Sequence, residues 1–243
     1  MTDRQVFSWI EVPQAAMRGL GLRPYVPGEI ASLFDWAENP QGQSSHLMLH
    51  RSQFIVDIVK IAANAVHQPS KPGDEIVWIL RGVLEVTDDA GGKHGGGDVQ
   101  RFTAGELVLI PLGWAGLYRA IPDGDDFLEL ALVPGNYFDE ATVHSPSGAR
   151  PRALEVPTQP GIHELHRGRY VIQAVAEASA VARGHQTAGD EVIYVRHGTL
   201  AISAAGRSGL IEAGSIVVLP KGFSGRLESS ADYRALIARW PQD

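Results

Sequence analysis

The sequence predicts an all-β chain built as two tandem copies of one small barrel. Three observations carry that expectation. Short apolar, β-branched segments end at Gly, Pro or Asp, which is strand punctuation. The same segments recur across half the chain at a nearly constant offset, the mark of a duplicated unit. Helical periodicity is sparse, confined to AAMRGLG near Met17 and GEIASLFDWAEN around Leu33, each worth a helical turn or two.

The elements follow in chain order. LHRSQFIVDIV begins at Leu49 and LHRGRYVIQAV at Leu165, an offset of 116. The same offset relates DEIVWILRG at Asp74 to DEVIYVRHG at Asp190, and each reads as a strand broken by one glycine. ELVLIP and SIVVLP are short apolar strands ended by proline, which cannot continue a ladder. Next come IPLGWAG and LPKGFSG, where Pro111 and Pro220 lie only 109 apart. The lost residues fall where DDAGGKHGGGDVQR in copy one faces SAAGRSG in copy two, so the extra length belongs to a hairpin tip. Within that tip GGKHGGG lacks the Ser or Thr a phosphate-binding Gly-Lys loop requires, and it reads as a mobile turn. The expected division is an N-terminal barrel with its extension over 1–140, a Pro/Ser/Gly-rich linker over 141–160, and a C-terminal barrel over 161–243.

Composition narrows the function. Of 243 residues 44% are hydrophobic and 20% charged, and acids outnumber bases 28 to 21 for a net charge of −7. An acidic chain is a poor nucleic-acid surface, and no apolar run is long enough to span a bilayer. No cysteine exists to form disulfides, thiolate metal sites or a thiol nucleophile. MTDRQVFSWIEVPQ lacks a basic start followed by an apolar run, so a cytoplasmic location is expected.

Both copies resemble the cupin superfamily, small double-stranded β-helix (jelly-roll) barrels, and together they look like an RmlC-like bicupin. The family's motifs are G-x5-H-x-H-x3-4-E-x6-G and G-x5-P-x-G-x2-H-x3-N. His185, Thr187, Glu191 and Gly198 fall on the first, and Gly214, Pro220, Gly222 and Gly225 on the second. Copy one matches at Glu75 and Gly82, then at Gly105, Pro111, Gly113 and Gly116. The wording DEIVWILRG…AGELVLIPLGWAG is similar to the ethanolamine-utilisation-type (DUF861-like) subgroup. The likeness spans roughly 54–132 and 170–239.

The resemblance implies a metal held by three histidines and a glutamate, and this chain departs from that set twice over. Gly116 and Gly225 replace the last histidine, and His185-Gln-Thr187 replaces the H-x-H pair. Copy one has Pro69 and Lys71 at the ungapped positions, with His67 two residues away. Two ligands per barrel are too few for a firm divalent site, so neither metal nor cofactor is expected.

Strand alternation supplies direction. If Glu75 faces the interior, Val77 and Ile79 do too, while Trp78 and, by analogy, Tyr194 turn outward. After each Pro-x-Gly turn, Trp114, Gly116 and Tyr118 share one parity, as do Phe223, Gly225 and Leu227. Those aromatics either line a cavity or plug the barrel. A carboxylate inside a metal-free barrel must be solvated, bonded or protonated, so Glu75 and Glu191 are the telling residues. His185, Thr187, Glu191 and Phe223 in copy two, with His67, Glu75, Trp114 and Tyr118 in copy one, are the candidate ligand-binding residues. His50-Arg51 and His166-Arg167 read as structural, and His94, His144 and His163 as solvated loop or linker residues.

The leading expectation is a bicupin binding a small polar organic molecule without a metal. The alternative is a metal-independent acid–base enzyme of isomerase or epimerase type, with His185 or His67 as base and Glu75, Glu191 or Tyr118 assisting. A metal-dependent oxygenase or hydrolase ranks lower, and a purely structural pair of barrels completes the set. A homodimer is compatible with all of them.

Overall fold

The computed structural model describes residues 44–61, 64–68, 73–88, 98–123, 127–135 and 148–240. The helical turns expected near Met17 and Leu33, the glycine-rich tip and the start of the expected linker lie outside these residues. Every regular element among them is a β-strand.

The first copy runs β1 Ser44–Arg51, β2 Phe54–Ile61, β3 Asn64–Gln68, β4 Glu75–Arg81, β5 Val83–Asp88, β6 Val99–Thr103, β7 Leu107–Ile110, β8 Gly116–Ile121 and β9 Phe127–Pro134. A two-residue strand, β10 (Arg152–Ala153), follows. The second copy runs β11 Gly161–Arg167, β12 Val171–Ala176, β13 Val181–Gln186, β14 Glu191–His197, β15 Thr199–Ala204, β16 Arg207–Glu212, β17 Ile216–Leu219, β18 Ser224–Ser229 and β19 Arg234–Arg239.

Each copy folds into a larger and a smaller antiparallel sheet. In copy one these are β1-β2-β9-β4-β7-β10 and β3-β8-β5-β6; in copy two, β11-β12-β19-β14-β17 and β13-β18-β15-β16. Apart from β10, which adds a sixth strand to the larger sheet of copy one, the strand orders correspond, which is the jelly-roll order written twice. The chain divides into two compact units between Leu154 and Glu155. Part of the expected linker therefore belongs to the first barrel: β10 pairs with β7, and Leu154, buried, donates its N–H to Leu107 at 2.7 Å. His163, expected in a loop, lies instead in β11.

Alternation explains which residues make each core. Val77 and Ile79 of β4 join Val86, Phe102, Trp114 and Tyr118 between the sheets of the first barrel. Ile193 and Val195 of β14 join Ile202, Phe223, Leu227 and Tyr233 in the second. Trp78 and Tyr194 belong to neither cluster, as their opposite parity requires, yet both are buried. Burying such β-branched and aromatic side chains removes about 25 cal/mol of free energy per Å² of apolar surface, the main force closing each sandwich.

Local chemistry sets the turns. Phe223 N–H donates to Pro220 C=O at 3.0 Å and Trp114 N–H to Pro111 C=O at 3.0 Å, closing identical four-residue turns. Their third residues, Gly222 and Gly113, sit at φ of 83° and 78°, the left-handed region a type II turn demands. The short tip of copy two is Ala205-Gly206, both at positive φ, as a two-residue hairpin with the strands' own twist requires. Each turn is also tied down by the aspartate before its barrel glutamate. Asp74 accepts the Leu112 N–H at 2.9 Å, and Asp190 accepts the Lys221 N–H at 2.8 Å.

Candidate functional site

The site assembles from three strands of the second barrel. His185 lies on β13 opposite Gly225, Glu191 opens β14, and Arg239 closes β19 directly across from Glu191. His185 Nε2 and Glu191 Oε2 are 2.9 Å apart, with side chains 13% and 9% exposed. The other carboxylate oxygen, Oε1, is 3.2 Å from Arg239 Nε, at ion-pair distance though not aligned as a hydrogen bond. Arg239 Nη1 donates to Gln173 Oε1 at 2.9 Å. A nearly buried carboxylate is thus compensated on both sides, as its desolvation requires.

These groups face a cavity of about 580 Å³, within the usual range for small-molecule sites. Its polar lining includes Gln173, Arg183, His185, Glu191, Arg239 and, on β11, Arg167. Ile162, Val171, Val175 and Trp240 supply apolar wall. Arg183 donates to Glu177 at 2.9 Å, and Glu177 in turn accepts from the Ser229 hydroxyl. Tyr233 lies buried among the same charges. Burial pushes its phenol above the ordinary tyrosine value, while Arg183 and Arg239 pull it down and Glu177 adds to the rise.

Of the residues expected from the sequence, His185 and Glu191 meet in the cavity. Thr187 does not line it. Its hydroxyl donates to Pro220 C=O at 2.6 Å and accepts the Phe223 N–H at 3.0 Å, so it fastens the turn. Phe223 is wholly buried with its ring centroid 6.2 Å from that of His185, forming the floor behind the site as core.

In the first barrel Trp114 is a plug as well, with its indole N–H donating to Asp88 at 2.8 Å. Tyr118 is buried and donates its hydroxyl to Glu129. Glu75 is buried at the start of β4. In the register of β3 it is Gln68 that stands across from Gly116, where His185 stands across from Gly225; His67 pairs with Leu117. The side chain of His67 lies outside the described residues.

The two glycines at the lost-histidine positions are not gaps. A Cβ on Gly225 would lie 2.5 Å from Ser203 O and 2.6 Å from Phe223 Cζ; on Gly116 it would lie 2.2 Å from Thr87 O and 2.7 Å from Trp114 Cζ2. In both barrels the aromatic two residues earlier has taken the space. Among the described residues no group of three or more His, Asp or Glu side chains is placed to hold a metal ion. The oxygens of Glu191 already face a histidine and a guanidinium, so the donor set at the family's metal position does not fit a metal.

The sequence motifs do not single out Arg183, Arg239, Gln173 or Trp240, and Arg167 reads there as structural. A signal existed for two of them. Gln173 interrupts the apolar strand VIQAVA on its inward parity, and Arg183 shares the parity of His185.

No protein-family model matches the chain, and no curated protein matches it in sequence. Solved structures do. A cupin 2 conserved barrel domain protein from Leptotrichia buccalis superposes with TM-score 0.57 at 13% identity, covering 82% of this chain and 88% of its own. A protein of unknown function of family DUF861 from Pseudomonas syringae gives 0.61 at 14%, covering 96% and 99%. Salicylate 1,2-dioxygenase from Pseudoaminobacter salicylatoxidans, with gentisate adducts, gives 0.61 at 12%, covering 96% and 81%. At these identities the likeness establishes the fold, a cupin jelly roll in each barrel, and leaves function to the site. Among the described residues no helix is long and apolar enough to cross a membrane.

Proposed function

We propose that this chain is a small-molecule-binding bicupin whose C-terminal barrel takes a polar organic ligand without a metal. The observation supporting this most is Glu191, held between His185 and Arg239 on the wall of a 580 Å³ cavity. Converging polar groups on a mostly preformed concave surface distinguish a binding site from a packing flaw. A cytoplasmic location belongs to the same reading. The test is a thermal-stability screen against a broad metabolite library, because a ligand bound only by the folded state raises the melting temperature. A library without a single stabilising member would refute the reading.

The 2.9 Å contact between His185 and Glu191 favours a second reading, acid–base catalysis of isomerase or epimerase type. An imidazole bonded to a carboxylate at a cavity wall is oriented to take and return one proton. If an activity is found and survives both His185→Ala and Glu191→Gln, this reading fails.

A further inference from the structure

The same cavity has a set of donors that names its ligand class, an inference that rests on the C-terminal barrel being a small-molecule site. The chain carries a net charge of −7, yet three arginines, Arg167, Arg183 and Arg239, line this cavity with one carboxylate, Glu191; two acids outside the lining pair with the others, Glu164 with Arg167 and Glu177 with Arg183. Each arginine is charge-balanced, and what the lining offers an anion is the guanidinium donors that those pairs leave unused.

The arginines keep hydrogen-bonding capacity. A guanidinium has five N–H donors in a planar fork. Among the described residues the contacts of Arg239 use Nε and Nη1, and the side-chain contact of Arg183 uses Nη1. Their side chains are 31% and 33% exposed, while Glu191 and His185 sit deeper. Beside them lie Ile162, Val171, Val175 and Trp240, an apolar wall for a ligand's body.

We propose that the cavity binds a small organic carboxylate, with its anionic end on Arg239 and Arg183 and its hydrocarbon body along the apolar wall. Planar guanidinium and planar carboxylate match edge to edge, a pairing stronger than neutral hydrogen bonds and selective against amides of the same shape.

The test uses charge-matched probes on the intact chain: benzoate, benzamide and benzylamine, then hexanoate, hexanamide and hexylamine. Affinities are read by NMR titration, following shifts of C-terminal-barrel resonances. The acids are expected to bind roughly tenfold or more tightly than their amides, and the amines not at all. Arg239→Gln and Arg183→Gln should each lower acid affinity far more than amide affinity and so erase most of the acid preference, which a loss of structure alone would not do. If either variant fails to fold, the charge series on the unaltered chain still decides. Amides binding as well as acids would overturn the carboxylate assignment and leave the small-molecule site standing. Should no probe bind, the metabolite screen decides: an anionic hit supports the assignment, a neutral or cationic hit overturns it, and no hit overturns both it and the site.

Discussion

Gly225→Ala adds one methyl group where the cupin pattern has a metal-binding histidine, and it should destabilise the second barrel. The new Cβ would lie 2.5 Å from Ser203 O, 2.6 Å from Phe223 Cζ and 2.9 Å from Ala204 Cβ. The first contact is a backbone carbonyl in the β15–β18 ladder, and the second is the ring of a wholly buried phenylalanine. Neither yields without parting two strands or repacking the core. Overpacking of this kind costs about 1–3 kcal/mol. For a unit of this size each kcal/mol lowers the melting temperature by about 4–8 °C. Gly116→Ala should cost at least as much, since Thr87 O is 2.2 Å away and Trp114 cannot swing aside without losing its bond to Asp88. Gly184→Ala is the control. It lies in β13 with ordinary backbone and nothing within 4 Å of its Cβ, so it should be neutral or stabilising by about 0.4–1 kcal/mol. Urea unfolding is the assay, with midpoints falling at unchanged slope for the first two variants. For the same reason Gly225→His should gain no thermal stability from added Mn²⁺, Fe²⁺ or Zn²⁺. Wild-type stability in Gly225→Ala, or metal-dependent stabilisation of Gly225→His, would refute the view that the aromatic has replaced the ligand.

Three further outcomes follow from the same geometry. Thr187→Val removes an oxygen bonded to both Pro220 C=O and Phe223 N–H and should cost about 1–3 kcal/mol in urea unfolding. Asp190→Ala should cost about 1–2 kcal/mol and Asp74→Ala less, because Asp190 is the more deeply buried of the two turn acceptors; their unfolding midpoints compare them directly. Tyr233 has its phenol raised in the folded state by burial, so its stabilising share is complete below the unfolded value, about pH 10, and is lost as pH rises through the folded value. Stability should therefore fall above that pH by up to about 1.4 kcal/mol per unit, and Tyr233→Phe should flatten the slope measured by unfolding between pH 9 and 11.

The fold was legible because alternation and turn chemistry are local. Glu75, Val77 and Ile79 share a face in any strand, and Pro-x-Gly followed by an aromatic closes the same turn in both copies. The site was half legible. His185 and Glu191 stood at motif positions, but parity gives direction and not depth. Trp114, Tyr118 and Phe223 do point inward, and there they fill the barrel instead of lining a space. Arg239 is not legible, because an arginine at the end of a strand, in RALIAR before Trp240, looks like a solvated rim residue. Only the pairing of β14 with β19 places it opposite Glu191. Sequence spacing points to His67, whereas strand register puts Gln68 across from Gly116.

Register also explains why two copies of one frame offer unlike interiors. Val171 pairs with Arg239 as Ile55 pairs with Val133, so the arginine that faces Glu191 has a valine as its counterpart in the first barrel. Gln173, which steadies that arginine, corresponds to Asp57, and Ala235 corresponds to Glu129. The first barrel thus buries Asp57, Glu75, Glu85 and Glu129, with Tyr118 donating to Glu129 and Arg101 to Glu85, while the second buries Asp190, which accepts the Lys221 N–H, and Glu191, which faces the arginine-lined cavity. A buried carboxylate needs a compensating group, and Glu129 and Glu191 are given different ones. A tyrosine hydroxyl compensates by hydrogen bonding from within the core and brings no charge. A guanidinium reaching from the strand end brings a positive charge and donors to spare, and those remain beside open volume. Among the described residues, Arg239 beside Glu191 is thus the feature on which the proposed site in the C-terminal barrel rests.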